Sequence, residues 1–294
     1  MYKSLNTGHL GIKLNSFEKT LTLAKNHNYG AVGYSPAELE NEGVGVYEAL
    51  DLMGQYGVII SDMGLPVQIT SRDAFNSSFP ILEKTARTAS RLGIHRCCTW
   101  MMSWSNELEY AENFKFHSRM LRLIAEVLKE YDILFGVEFL GPRIMLKNGK
   151  YPFIHTLEQA LELCGAIGTG NAGLMLDTHH CYCSGLNGAA FAQYIRDEKD
   201  IVLVHLNDDA PGKPLDEIGD SPRFYPGEPG SGAIDLHGFM NALKELKYTG
   251  PVVAEPFSET IRGMSDSGAI VRLISESTDS VWPGSLNGCY ASGR

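Results

Sequence analysis

Ile133-Leu134-Phe135-Gly136-Val137-Glu138-Phe139, a helical pattern over 157–167, and Gly173-Leu174-Met175-Leu176-Asp177 together read as one strand–helix–strand unit. Thr156 precedes Gln159 by three residues, as a capping box requires, and Gly168 stands where the helix should stop. Two β-rich runs joined by a helix give parallel strands with a crossover. The same alternation extends outward in both directions. Strands are predicted over 10–13, 31–34, 58–63, 96–101, 133–139, 173–177, 201–206 and 252–255. Helices are predicted over 17–26, 46–56, 80–92, 108–130, 157–167, 189–197, 236–246 and 266–275. Asn15 with Glu18 forms a second capping pattern, and Gly57 and Gly93 are further stops. Each strand is followed by one helix, so the chain is expected to be α/β, a (β/α)8 TIM barrel forming one domain over 1–294.

The rival architecture, a doubly wound open sheet, wants a glycine-rich phosphate loop between an early strand and its helix. Gly165-Ala166-Ile167-Gly168-Thr169-Gly170 follows a helix and precedes a strand, the reverse of that order, and reads as a helix stop and tight turn. A long Pro- and Gly-rich connection at about 208–234 is expected to cover the mouth of the barrel. The Gly- and Ser-rich stretch at about 283–294 reads as a flexible tail.

With 25 Lys+Arg against 35 Asp+Glu, the formal net charge of -10 repels phosphate backbones and anionic lipid. Nucleic acid and membrane partners are therefore not expected. No apolar run reaches the length of about 20 residues needed to span a bilayer, and Met1-Tyr2-Lys3-Ser4-Leu5-Asn6 leads into no signal-like core, so a cytoplasmic protein is expected. The six cysteines, Cys97, Cys98, Cys164, Cys181, Cys183 and Cys289, include a neighbouring pair and a Cys-x-Cys, which suits reduced thiols better than a disulfide framework.

In a parallel barrel all strand C-termini open on one face, so residues there converge however far apart they lie in sequence. Four predicted strands carry an ionisable residue at that end: Glu138, Asp177, His205 and Glu255. Three carboxylates and an imidazole make a mainly oxygen-donor set suited to one divalent cation, Mn²⁺ first, with Mg²⁺, Co²⁺ or Zn²⁺ as alternatives. Without a cation the carboxylates would repel one another.

These residues and their surroundings resemble the xylose-isomerase-like barrel superfamily, in particular its sugar isomerase/epimerase branch. The resemblance rests on Val-Glu-Phe-Leu-Gly-Pro from Val137, Leu-Asp-Thr-His-His from Leu176, Val-His-Leu-Asn-Asp from Val204, Pro-Gly-Glu from Pro226 and Ala-Glu-Pro-Phe from Ala254. It implies that Glu138, Asp177, His205 and Glu255 are the metal ligands. It also implies that Glu138 and Glu255 are the catalytic proton-transfer groups on opposite faces of a sugar or keto-sugar. His180, three residues after the Asp, and Arg223, in the loop before Pro226, are implied to bind substrate. A homo-oligomer, dimer or tetramer, is implied as well. The chemistry follows independently of the name: a cation chelated by a carbonyl and its neighbouring hydroxyl stabilises the enediolate left when the intervening carbon loses a proton. The reaction expected is isomerisation or epimerisation, and the alternative is a metal-dependent lyase or dehydratase acting on a keto-sugar or keto-glycoside. An abasic-site endonuclease, which needs extra histidines for a trinuclear zinc cluster, and a non-catalytic sugar-binding barrel rank below both.

Other residues are weighed by position. Trp100, with Trp104, Met101 and Met102, is either an apolar wall against a sugar ring or part of the core, and Tyr34 and Met63-Gly64-Leu65 occupy analogous strand ends. His9 is placed before the first strand, at the surface or bottom face. Asp235 reads as a helix N-cap. Asp208 either orients His205 or serves a turn. Cys181 and Cys183 with the adjacent His179 and His180 suggest zinc, although the cysteines are spaced more closely than zinc sites usually have them.

Overall fold

The structure, a computed structural model, describes residues 1–284. In chain order its strands are β1 (Tyr2–Leu5), β2 (Ala31–Gly33), β3 (Ile59–Gly64), β4 (Arg96–Met101), β5 (Trp104–Ser105), β6 (Leu134–Phe139), β7 (Tyr151–Pro152), β8 (Ala172–Asp177), β9 (Ile201–Leu206) and β10 (Pro251–Ala254). Eight of them close into a parallel barrel in the order β1-β2-β3-β4-β6-β8-β9-β10, and β5 and β7 form a separate antiparallel pair. The helices are α1 (Phe17–Asn26), α2 (Pro36–Glu42), α3 (Val46–Tyr56), α4 (Arg72–Ser78), α5 (Leu82–Arg91) and α6 (Tyr110–Glu130). They continue with α7 (Leu157–Ile167), α8 (Thr178–Cys183), α9 (Leu236–Glu245), α10 (Glu259–Arg262) and α11 (Ser267–Ser280).

The chain therefore forms the expected (β/α)8 barrel, with seven of its strands within a residue or two of their predicted places. The first strand differs. Leu10 and Ile12 are buried and alternate with polar residues, which imitates a strand, but the amides of both bond to the Thr7 carbonyl in a turn. The true first strand hides behind two polar residues with inward work. Lys3 Nζ reaches Ser275 Oγ at 2.8 Å and Asp279 Oδ1 at 2.7 Å on α11, and Ser4 Oγ lies 2.7 Å from Ser61 Oγ on β3. The predicted helix over 189–197 is a 3-10 segment, Gly188–Tyr194, ended by Ile195 in extended conformation.

Capping is local chemistry. Ser16, not Asn15, caps α1 by accepting the Lys19 amide. Thr156 caps α7, whereas Gln159 returns its side chain to the His155 amide. Gly57 and Gly168 end α3 and α7 at φ values of 66° and 73°, in the left-handed region where a Cβ is disfavoured. Asp235 caps α9 through the Gly238 amide at 2.9 Å.

Phe17, Phe135, Phe139, Phe153, Phe191 and Phe239 are fully buried in the apolar core. Residues 208–234 fold back over the strand ends, fixed by paired backbone bonds between Asp208 and Phe224 of 2.7 and 2.9 Å. Among the described residues, no helix is long and apolar enough to cross a membrane, and Cys97, Cys98, Cys164, Cys181 and Cys183 are free and buried. Cys289 and most of the predicted tail lie outside the described residues.

Candidate active site at the barrel mouth

Glu138 on β6, Asp177 at the end of β8, His205 on β9 and Glu255 just after β10 come from four neighbouring barrel strands. Register makes them converge, since Asp177 pairs with His205, and His205 with Val253. One ligand atom from each of the four lies within 4.8 Å of the other three, and all four residues are buried. His205 Nδ1 stands 3.0 Å from Glu138 Oε1 and 3.4 Å from Glu255 Oε2. Asp177 is locked from below: its Oδ1 accepts the His180 amide at 2.8 Å and its Oδ2 accepts Asn207 Nδ2 at 2.8 Å.

Electrostatics follow from this crowding. Burial pushes the Glu138 carboxyl up to about 7, against the opposing pull of His205. Burial also opposes ionisation of Glu255, but His205, His9 and Arg223 outweigh it and hold that carboxyl well below the usual range. His205 loses charge stability through burial and regains more from Glu255 and Glu138, so its imidazole sits well above its ordinary value. The quartet thus demands positive charge, and its three carboxylates with one imidazole fit a divalent cation.

Arg223 descends from the covering loop into this demand. Its Nη1 donates to Glu255 Oε2 at 2.6 Å and to Asp177 Oδ2 at 3.4 Å, while Nη2 donates to Asp220 Oδ1 at 2.6 Å. The guanidinium lies 4.6 Å from the Phe257 ring centroid. Nη2 also lies 3.3 Å from His180 Nε2, which makes Nε2 the acceptor and leaves the His180 ring neutral. Burial, then the Arg223 charge, holds the His180 imidazole well below its usual range. The structure therefore brings Arg223 and His180 to the quartet. Trp100, in register with Glu138, is 52% exposed and, with Trp104, Met101 and Met102, lines a cavity of about 720 Å³ whose walls include none of the quartet, Arg223 or His180.

Asp208 does not reach His205; its Oδ1 accepts the amides of Asp209 and Ile234, which is turn chemistry. Cys181 and Cys183 do not share a site, and only Cys183 groups with His179.

Sequence reasoning missed three residues. His9 lies beyond the C-terminal end of β1, at the mouth rather than the bottom, with Nε2 3.5 Å from Glu255 Oε1 and its ring edge-on to His205 at 5.0 Å. Its misplacement followed directly from that of the first strand. Asp62 on β3 is a buried carboxylate that accepts the Ser61 hydroxyl at 2.5 Å, and burial raises it. An acid inside Ile-Ile-Ser-Asp-Met was the available signal. Asn207 bonds through Oδ1 to the Thr178 hydroxyl and the His179 amide, and through Nδ2 to Asp177. Asn207→Ala is expected to cost about 1–3 kcal/mol, because it strands buried partners. A denaturant midpoint equal to that of the wild type would remove Asn207 from the support of Asp177.

A family model described as a xylose isomerase-like TIM barrel matches residues 21–277. An inosose isomerase from Bacillus velezensis is 29% identical over 182 residues, 62% of this chain, and the match spans only 59% of that relative. A xylose isomerase domain protein from Alicyclobacillus acidocaldarius superposes with a TM-score of 0.82 at 27% identity, covering 96% of this chain and 98% of its own. The IolI protein, solved with a zinc atom, shares the fold with a TM-score of 0.78 at 21% identity over 96% of this chain and 98% of its own. The closed parallel barrel and the matched span lead to one conclusion: the chain belongs to the xylose isomerase-like TIM barrel family.

Proposed function

We propose that this protein is a divalent-metal-dependent isomerase or epimerase of a sugar or keto-sugar, working by proton transfer through an enediolate. The observation that carries the reading is the buried Glu138–Asp177–His205–Glu255 quartet on adjacent strands, closed over by Arg223 and His180. The relative named inosose isomerase supports the same class of reaction.

Glu138, Asp177, His205 and Glu255 would hold the metal, and their oxygen-rich set favours Mn²⁺ over softer ions. When bound, the cation acts as a Lewis acid on a substrate carbonyl and its neighbouring hydroxyl, which lowers the cost of taking a proton from the carbon between them. The protein supplies the proton traffic. Glu138 and Glu255 stand on the outermost strands of the four-strand row, a placement that supports giving them opposite faces of the substrate. One removes the proton from one face of the substrate. Return from the other face inverts that carbon, whereas return to the former carbonyl carbon exchanges aldose for ketose. Arg223 and His180 bind substrate oxygens, with Arg223 as the charged donor. Trp100 offers an apolar face to the ring.

Arg223→Ala is expected to raise KM about tenfold or more, the worth of a hydrogen bond to a charged group, while metal affinity changes less. Unchanged substrate affinity would remove Arg223 from substrate binding. The class of reaction is tested by incubating the protein with Mn²⁺, Mg²⁺, Co²⁺ or Zn²⁺ and a panel of ketoses and aldoses, followed by NMR and mass analysis. A product of unchanged mass is expected. Loss of water or an aglycone would transfer the site to lyase chemistry, and no turnover with any ion and substrate would overturn the proposal.

A further inference from the structure

β1, β2 and β3 follow β10 around the barrel, on the arc the quartet leaves free, and a cavity of about 760 Å³ opens over their C-terminal ends. Asn6 and Thr7 come just after β1, Tyr34 just after β2, and Asp62 and Met63 lie at the end of β3. The volume suits a small molecule. One turn of chain joins this cavity to the quartet. Asn6 Oδ1 accepts the Gly8 amide at 3.0 Å and the His9 amide at 3.4 Å, and the turn delivers His9 Nε2 to 3.5 Å from Glu255 Oε1.

The outer wall is fixed by its own contacts. The Tyr34 hydroxyl donates to Glu42, whose other oxygen accepts the Phe17 amide at 2.6 Å, and Ser35 with Glu38 closes a capping box at the start of α2. Two atoms of the inner wall are left over. Asp62 is only 8% exposed and its Oδ1 accepts the Ser61 hydroxyl, yet among the described residues no group donates to its Oδ2. The Asn6 carboxamide likewise spends its oxygen on the turn and keeps its Nδ2 hydrogens. Both atoms flank one spot, because a Cβ on Gly33 would lie 3.3 Å from Asn6 Nδ2 and 3.3 Å from Asp62 Oδ2. Glycine leaves that spot open. An acceptor and a donor without protein partners call for a ligand that offers a hydrogen and a lone pair, and a hydroxyl group offers both.

Charge narrows the ligand further. Glu18, Glu38, Glu42, Glu48 and Asp62 line the cavity against Lys13 alone, a wall that repels phosphate and tolerates neutral hydroxyls. Burial raises the Asp62 carboxyl, while the Ser61 hydroxyl and the charge of His205 oppose that rise, so the two sides of the mouth lie within electrostatic reach.

We propose that Asp62 and Asn6 bind hydroxyl groups at the unreacting end of the substrate, which is therefore an unphosphorylated polyhydroxy compound. The assignment rests on the isomerase reading for which end reacts, and on the cavity for the contact itself. Asp62 and Asn6 thereby set which sugars are accepted, from the side of the barrel opposite the proton traffic.

The test uses the full chain loaded with Mg²⁺ and saturation-transfer NMR. The probes are D-fructose, D-tagatose, D-psicose, myo-inositol and the terminal phosphate ester of D-fructose. At least one neutral probe is expected to bind, and D-fructose at least tenfold more tightly than its phosphate ester. Asp62→Ala should raise the Kd of the bound neutral probe about tenfold or more, the worth of a hydrogen bond to a charged group. Asn6→Asp keeps the oxygen that holds the turn and loses the donor, so it should weaken binding as well, with circular dichroism confirming the fold of both variants. Binding of no neutral probe, preference for the phosphate ester, or an unchanged Kd in either variant would overturn the proposal. Deuterium exchange on the same samples judges the isomerase reading separately. Binding that both variants weaken, without exchange, would end that reading and keep this contact, whereas exchange with unchanged binding in either variant would do the reverse.

Discussion

Glu138→Gln and Glu255→Gln are each expected to lower kcat by about 10²–10⁴-fold, the worth of general acid–base catalysis, while the protein remains folded. The amide keeps the shape of the carboxylate and an oxygen that still accepts, from His205 Nδ1 at position 138 and from Arg223 Nη1 at position 255. What it loses is the ability to take and return a proton. Stability should not fall in Glu138→Gln, because burial already opposes ionisation of that carboxyl, whereas Glu255→Gln also removes the counter-charge of Arg223 and His205 and is expected to lower the melting temperature. Rates measured beside thermal melting separate the two effects. A variant that melts like the wild type and also turns over like it would end the role assigned to that glutamate.

Gly141→Ala should damage the same site through packing alone. A Cβ there would lie 2.1 Å from the His180 carbonyl oxygen, 2.8 Å from its carbon and 2.9 Å from its Cα. All three are backbone atoms, so no side chain can swing aside. The segment after β6 or the start of α8 must move, and α8 begins at the residue after Asp177. The expected cost is about 1–3 kcal/mol of stability, as for other overpacked interiors, together with weakened metal and substrate binding. Gly165→Ala in α7 is the matched control, since nothing lies within 4 Å of the added carbon and the helix favours alanine. A Gly141→Ala protein with the melting temperature and activity of the wild type would show that this close approach relaxes freely.

Most of the barrel was legible because strand–helix alternation depends on local pattern, and seven strands carry it plainly. Tyr2-Lys3-Ser4-Leu5 did not, because Lys3 and Ser4 serve contacts with α11 and β3 that exist only after the chain has closed on itself. The quartet was legible for a topological reason: in a parallel barrel, an acid or imidazole at a strand end has one place to go. Arg223 was reached through family resemblance, since nothing in a long Gly- and Pro-rich loop indicates which residue turns inward. Asn207 was beyond sequence reasoning, because its partners, the Thr178 hydroxyl, the His179 amide and the Asp177 carboxylate, meet it only through tertiary folding.

In the proposed reaction a metal-loaded quartet moves protons on a carbon beside a carbonyl. Incubation of the Mn²⁺-loaded protein with a ketose panel in D₂O, read by NMR, tests it most directly. Deuterium is expected at a carbon adjacent to the carbonyl of at least one substrate, lost on chelation and in Glu138→Gln. Turnover without any such exchange, or exchange undiminished after chelation, would contradict it.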